Sequence, residues 1–214
     1  MITSLIEQLK LSVIEGRIAE APKITQKAIE AGIDLQQIVD QGLIVAMDRI
    51  GERFTSGDLF IPEMLLSART MESSMNVLRP LIVGSQIKPK AVVVFGTVEG
   101  DVHDIGKNLV IMMMEGAGFE VHDLGVNVAP ERFCEAVELR KPTLCCMSAL
   151  LSTTQDAMGK TIDFFEKRGI RGQVKFMVGG AAITESFAVE IGAEGYGPDA
   201  PSAVLKAKEL LAGC

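Results

Sequence analysis

The first third of the chain carries apolar side chains at helical spacing. Successive segments repeat such residues every three or four positions, as in Leu5, Leu9 and Val13, and no alternation with a period of two is present. Helix-breaking residues separate the segments at Pro22, Gly32, Gly57 with Asp58, and Pro62, which fits the first turn of a helix. The pattern predicts roughly four to five helices that pack as a small bundle over residues 1–83.

The pattern changes after a short segment of mixed Gly, Ser and Pro at residues 84–89, which predicts a linker. Beyond it, short segments predicted as strands, the first of them a β-branched run, alternate with helical patterns, which is typical of a doubly wound parallel sheet. We expect an α/β domain of the Rossmann or flavodoxin-like kind over residues 90–214, ending in a helix over 200–211. Its strands are predicted near residues 91–95, 120–124, 143–147, 175–178 and 194–195.

Composition narrows the range of partners. The formal net charge of -7 disfavours nucleic acid, because binding to phosphates needs clustered Lys and Arg. Charged residues interrupt every apolar segment, so we expect no membrane span, and the N-terminal residues lack the pattern of a secretory signal. We therefore expect a cytoplasmic protein without a nucleic-acid or membrane partner.

The cysteines do not form a metal-binding pattern. The four residues Cys134, Cys145, Cys146 and Cys214 show no Cys-x-x-Cys spacing, and two of them lie in an apolar run predicted as a strand. Buried, unreactive thiols are therefore favoured over a zinc or iron–sulfur site.

One histidine lies in a loop bracketed by glycines. The run from Gly100 to Asn108 follows the first predicted strand and leads into a helix whose apolar positions are Ile105, Leu109, Met112 and Met113. His103 thus falls at the carboxyl end of a strand, where open α/β sheets bind ligands. A neutral imidazole there can bind a metal through one nitrogen while Asp101 accepts the proton on the other. The alternative is that Asp104 caps the helix and His103 is a solvated loop residue.

Small residues recur where the predicted strands end. Without a bulky side chain, the backbone at these positions could closely approach a large ligand that has an extended tail. For any single glycine of this set, the end of a strand is the better explanation, so only the shared position favours a ligand slot. The set comprises Gly96, Gly100, Gly125, Ser148, Gly179 and Gly180.

Residues 96–110 closely resemble the cobalamin-binding loop of corrinoid methyl-transfer proteins and of the cobalamin module of methionine synthase. Further segments match the same family in order, and residues 51–63 resemble the signature of its helical cap, so that the resemblance covers almost the whole chain. The later segments are Asp123-Leu124-Gly125, Ser148-Ala149-Leu150, Gly179-Gly180-Ala181 and Tyr196-Gly197-Pro198-Asp199-Ala200.

The resemblance implies a cobalamin whose own base is withdrawn from cobalt and replaced by a histidine, the base-off, His-on form. Matched by position to the family, His103 is the cobalt ligand, Asp101 orients it, and Thr154 supplies a hydroxyl to Asp101. Ser152 and Thr153 also carry hydroxyls, so a small error in the alignment would exchange their roles with that of Thr154. Contacts to the cofactor are implied for Gly100, Val102, Asp104, Ile105, Gly106, Ser148, Leu150, Ser152, Gly179, Gly180, Tyr196 and Ala200. The implied cover of the upper face consists of Met47, Phe60 and Met64, which can equally be bundle core.

The implied function is that of a methyl carrier without catalysis of its own, since the chain has no room for a barrel-sized substrate domain. Its partners would be a substrate:corrinoid methyltransferase, a second methyltransferase with tetrahydrofolate or coenzyme M as acceptor, and a reductive activase. Two alternatives stay open: a cobalamin-dependent sensor, although no DNA-binding helix-turn-helix domain is evident, and the cobalamin subunit of a mutase, which leaves the helical cap unexplained.

Overall fold

The computed structural model describes residues 2–82 and 89–212. The predicted linker, apart from Pro89, lies outside the described residues, as does Cys214. The described chain divides into two compact units. One comprises the residues up to Pro89 together with Gly116–Gly118, and the other comprises the rest of the chain from Lys90 onward.

The first unit is helical. Its Pro22 lies in the first turn of a helix, where the missing amide proton costs nothing, and Asp34 begins the next helix by accepting a hydrogen bond from Gln37 N at 3.1 Å. In chain order the helices are α1 (Ile2–Ile14), α2 (Ala21–Glu30), α3 (Leu35–Gln37), a π-helical segment (Ile38–Ile44), α4 (Val45–Thr55) and α5 (Ile61–Ile82). The predicted helical bundle is confirmed.

The core of the helical unit is apolar, with several small hydroxyl residues among the buried side chains. Thr25 and Thr70 each donate a hydrogen bond to the carbonyl four residues earlier in their own helix, so burial leaves these hydroxyls satisfied. The largest fully buried side chains here are Leu9, Ile38, Leu43, Met47, Ile50, Met64 and Leu78.

The second unit alternates strands and helices, as the sequence predicts. Its elements are β1 (Val92–Thr97), α6 (Ile105–Gly116), β2 (Glu120–Asp123), α7 (Pro130–Arg140), β3 (Leu144–Ser148), α8 (Asp156–Lys167), a 3₁₀ turn (Arg171–Gln173), β4 (Lys175–Gly179), α9 (Glu185–Glu190), β5 (Gly195–Gly197) and α10 (Ala200–Ala212). The predicted strands are confirmed with shifted ends. None of the helices in the described residues is long and apolar enough to cross a membrane.

The five strands form one parallel sheet in the order β2-β1-β3-β4-β5. The register aligns Thr97 with Ser148, Ser148 with Gly179, and Gly179 with Gly197, so small residues form a row across the carboxyl edge. In this order the connections leave β1 and β3 toward opposite faces of the sheet, which opens a ligand crevice between the loops that follow them.

The core of this unit lies between the sheet and its helices. Phe165 and Phe176 meet edge to face with ring centroids 4.9 Å apart, and Phe133 is fully buried beside β1. Cys145 and Cys146 lie inside β3, and burial raises the pKa of both thiols, which keeps them protonated. The prediction that the thiols are buried is confirmed for these two residues and for Cys134.

Candidate cofactor site at the carboxyl edge of the sheet

Two loops flank the crevice. The loop after β1, residues 98–104, carries Asp101 and His103, and the loop after β3, residues 149–155, carries Leu150 and Thr154. Because β1 and β3 are neighbours in the sheet, the two loops meet at the position where this strand order binds ligands.

Asp101 joins the two loops through both of its carboxylate oxygens. Oδ1 accepts a hydrogen bond from His103 N at 3.0 Å and lies 2.7 Å from His103 Nδ1. Oδ2 accepts from Leu150 N at 2.8 Å and from Thr154 Oγ1 at 2.7 Å. The carboxylate has no solvent exposure. It is therefore held by donors on both sides of the crevice.

The charge state of Asp101 follows from these contacts. Burial alone would raise its pKa, but the hydrogen bonds from Thr154, His103 and Leu150 outweigh burial and hold the pKa well below its ordinary value. Asp101 is thus an ionised carboxylate that only accepts hydrogen bonds.

The ionised carboxylate determines which ring nitrogen of His103 is free. Because Asp101 Oδ1 accepts, the neutral imidazole carries its proton on Nδ1 and keeps the lone pair on Nε2. The His103 side chain is 46% exposed, so the ring is held at one edge and open at the other. This arrangement is typical of a histidine that donates Nε2 to a metal while a carboxylate sets its orientation.

The donor set fits a metal that arrives inside a cofactor. Ions bound by protein alone usually need three or more side-chain ligands. Within residues 2–82 and 89–212, no three His, Cys, Asp or Glu side chains come together in that way. A single imidazole suits a cobalt whose other ligands come from a corrin ring, and the residues present fit that group.

Thr97 is a site residue that the sequence analysis missed. Its hydroxyl donates to the His103 carbonyl at 3.0 Å and lies 3.1 Å from Ser148 Oγ, so it connects the histidine loop to the end of β3. It is also fully buried. A polar residue that ends an otherwise apolar strand was the signal that could have indicated it.

Ile105 lies exposed beside the histidine loop. It shares helical spacing with Leu109 and Met113, and it is 87% exposed at the first position of α6. Val102 is exposed as well, and a Cβ added at Gly106 would meet only open space. Apolar side chains around His103 thus face outward, where a large apolar ligand can contact them.

The glycines at the end of β4 are required by the protein's own backbone. A Cβ at Gly179 would lie 2.5 Å from the Gly197 carbonyl oxygen, and a Cβ at Gly180, where φ is +128°, would lie 2.0 Å from the Ala149 carbonyl oxygen. These contacts explain the glycines without a ligand. Their contact with the cofactor stays a prediction.

The remaining predicted contacts occupy different surroundings. Tyr196 donates its hydroxyl to the Ile183 carbonyl at 2.9 Å, and Ala200 is buried at the start of α10. Ser152 is exposed beside Thr154. Asp104 precedes α6, and its Oδ2 accepts from the Asn108 side chain at 3.1 Å. The structure therefore brings Asp101, His103, Ser148, Leu150 and Thr154 together, while Tyr196 lies within β5 and Ala200 begins α10.

The predicted cover residues differ in exposure. Met47 and Met64 are buried within the helical unit, as core residues are, whereas Phe60 is 70% exposed in the turn before α5. Of the three, Phe60 is free to contact a ligand or partner in this structure. The assignment of the set to a cofactor cover stays a prediction.

Comparison with known proteins identifies the family. Residues 91–205 match a family model described as a B12 binding domain, and residues 5–79 match a second model of the same description. The chain is 38% identical to dimethylamine corrinoid protein 2 of Methanosarcina acetivorans, over 98% of this chain and 97% of the relative. It is 40% identical to the trimethylamine corrinoid protein of Methanosarcina barkeri, over 89% of each chain.

Solved structures agree with these matches. The methanol:cobalamin methyltransferase complex of Methanosarcina barkeri contains a chain similar to this one, with a TM-score of 0.88, 32% identity and coverage of 99% of this chain and 81% of that chain. A cobalamin-binding protein of Desulfitobacterium hafniense follows at a TM-score of 0.79 and 26% identity, covering 96% of this chain and 98% of its own. The fold and the site define a B12-binding protein. The chain belongs to the family of methyltransferase corrinoid proteins, as the resemblance implied.

Proposed function

We propose that this protein is a methyl carrier that holds a corrinoid in the base-off, His-on form, with His103 Nε2 as the lower ligand of cobalt. The observation that carries the proposal is the contact between His103 Nδ1 and the buried, ionised Asp101, which leaves the lone pair on Nε2 of a half-exposed ring. When bound, the corrinoid supplies the cobalt centre that takes up and gives away the methyl group.

The protein's own residues control the imidazole. Asp101 retains the proton at His103 Nδ1 and thereby increases the electron donation available at Nε2. Thr154 and the Leu150 amide fix the carboxylate, so the ring orientation is set before any ligand arrives. The exposed apolar side chains of Val102 and Ile105 are suited to cover the lower face of the macrocycle, and Ser148, Leu150 and Ser152 are suited to contact its tail.

The partners follow from the same proposal. One methyltransferase would load the cobalt from a small methylated substrate, a second would pass the methyl group to tetrahydrofolate or coenzyme M, and a reductive activase would restore the cofactor after oxidation. Relatives named for dimethylamine and trimethylamine, and a similar chain in a methanol:cobalamin methyltransferase complex, support methylamines or methanol as the substrate class. A cytoplasmic location is part of this proposal. So is the division of the chain into a helical cap domain over residues 1–83, a linker over 84–89 and a cobalamin-binding domain over 90–214.

Reconstitution tests the proposal. Apoprotein loaded with hydroxocobalamin should retain about one cofactor per chain after gel filtration. After chemical reduction of the bound cofactor to the cob(I) state, for example with titanium(III) citrate, its cobalt should become methylated by dimethylamine, trimethylamine or methanol only when a separate methyltransferase is added. Absence of cobalamin binding would overturn the proposal, and so would demethylation of these substrates by the loaded protein alone.

A further inference from the structure

Asn127 holds an unusual backbone conformation beside the histidine loop. It lies in the loop between β2 and α7, residues 124–129, with φ at +53°. Within the described part of the chain, it shares a positive φ with just one other non-glycine residue, Lys141. Asn tolerates the left-handed region better than most residues, but the conformation still carries a cost that surrounding contacts must offset.

Two hydrogen bonds connect Asn127 to the histidine loop. Its backbone N–H donates to the Asp101 carbonyl at 2.9 Å, and its side-chain Oδ1 accepts from Gly100 N at 2.7 Å. Gly100 itself has φ at +84°, a conformation open to glycine. One residue therefore holds the dipeptide Gly100-Asp101 at both of its ends.

The loop that carries Asn127 is itself anchored to the sheet. Gly125 O accepts from Thr97 N at 3.0 Å, and Val128 N donates to Thr97 O at 2.9 Å. Asp123, at the end of β2, accepts from Gly125 N at 2.9 Å and from the buried Lys107 Nζ at 2.6 Å. Asn127 thus extends from a fixed support toward the loop that bears the proposed metal ligand.

We propose that Asn127 is a positioning residue for His103. By fixing the peptide that carries Asp101, it fixes the carboxylate that holds His103 Nδ1, and so sets the direction of Nε2. The left-handed conformation is what allows the backbone N–H and the side-chain oxygen of one residue to reach the same dipeptide. The part of this inference that concerns cobalt rests on the proposed function, whereas the part that concerns the Gly100 amide does not.

Three variants separate the side chain from the backbone. Asn127→Gly removes the acceptor for Gly100 N while easing the positive φ, which makes it the deletion least able to damage the turn. Asn127→Asp keeps an acceptor oxygen and tolerance of the left-handed region. Lys141→Gly eases the same backbone conformation at the end of α7, away from the histidine loop. Fluorescence of Tyr196 checks that each variant is folded.

The first readout uses the apoprotein. Hydrogen exchange at the Gly100 amide should be roughly threefold to tenfold faster in Asn127→Gly than in the wild type, because one neutral hydrogen bond is lost. Asn127→Asp and Lys141→Gly should exchange at the wild-type rate. Unchanged exchange in Asn127→Gly would overturn the proposed contact, and equal acceleration in Lys141→Gly would assign the effect to backbone strain.

The second readout uses protein loaded with cobalamin and reduced to the cob(II) state. In the wild type and in Asn127→Asp, electron paramagnetic resonance should show imidazole nitrogen coupled to cobalt. In Asn127→Gly, the coupled fraction should fall although cofactor remains bound. Full coupling in Asn127→Gly would overturn the positioning role. Absence of coupling in the wild type would instead refute His-on binding, and the Gly100 exchange rates would still decide the contact.

Discussion

The chain contains two histidines, and each lies two residues after a carboxylate. Asp101 precedes His103 in the loop after β1, and Glu120 precedes His122 in the edge strand β2. Both pairs are in contact: His103 Nδ1 lies 2.7 Å from Asp101 Oδ1, and His122 Nε2 lies 3.0 Å from Glu120 Oε1. On distance and residue type alone, the two pairs look alike.

The difference lies in what else holds the carboxylate. Asp101 is fully buried, and its second oxygen accepts hydrogen bonds from Leu150 and Thr154 on the neighbouring loop. Glu120 is 50% exposed on an edge strand, where water competes for its oxygens. The comparison teaches that an imidazole is held in one orientation when its carboxylate partner is itself fixed. Proximity of the two groups is insufficient.

The largest expected effect comes from removing each carboxylate. Asp101→Ala leaves the buried donors of Leu150 and Thr154 without their acceptor and should lower the free energy of unfolding by about 3 kcal/mol. Glu120→Ala breaks a half-exposed pair and should cost about 0.5 kcal/mol or less. Urea unfolding followed by the fluorescence of Tyr196, the only Tyr in a chain without Trp, reports on the α/β unit. Equal losses in the two variants would contradict the distinction between the pairs.

A smaller effect identifies the hydroxyl that holds Asp101. Thr154→Ala should cost about 1 kcal/mol, because it removes the 2.7 Å hydrogen bond to Asp101 Oδ2. Thr154→Ser keeps that bond, and Thr153→Ala changes only an exposed neighbour, so each should stay within about 0.5 kcal/mol of the wild type. The same unfolding measurement applies. A greater loss of stability for Thr153→Ala than for Thr154→Ala would show that Thr154 is not the residue whose hydroxyl holds Asp101.

The smallest effect depends on pH. Thr154 helps to lower the pKa of Asp101 in the folded apoprotein, so its contribution is fully present above the unfolded pKa of about 4 and is lost as the pH falls toward the folded value. The stability gap between wild type and Thr154→Ala should therefore narrow below about pH 4. Unfolding midpoints measured from pH 6 to pH 3 test this directly. A gap that widens toward acid would mean that Thr154 favours the protonated carboxyl.

The sequence predicted most of the fold because the fold depends on periodicity. The first strand was recognisable as a β-branched run between Pro89 and Gly96, the later strands from their alternation with helical patterns, and the helical bundle from apolar spacing of three and four. Periodicity could not predict the change from α-helical to π-helical hydrogen bonding inside the bundle, where α3 continues as a π-helical segment before α4. Hydrogen-bond register within a continuous helix leaves no clear mark on the apolar pattern.

Prediction of the site depended on spacing for some residues and on tertiary contacts for others. Asp101 and His103 share one loop, so their spacing indicated their contact. The Thr154 contact came from family resemblance alone, because it joins residues 53 positions apart. Thr97 was missed although it is a polar residue at the end of an apolar strand, and Asn127 was missed because a left-handed backbone conformation is not visible in a linear pattern. The exposure of Ile105 could not be predicted, because helical spacing does not distinguish a buried first turn from an exposed one.

The central claim is that His103, and not His122, is the histidine that binds cobalt. The most direct test is electron paramagnetic resonance of the cob(II)alamin-loaded protein with its histidines labelled with nitrogen-15. Labelling should change each imidazole triplet to a doublet in the wild type and in the matched control His122→Ala, whereas His103→Ala should show no imidazole splitting. Splitting that persists in His103→Ala, or that disappears in His122→Ala, would contradict this account.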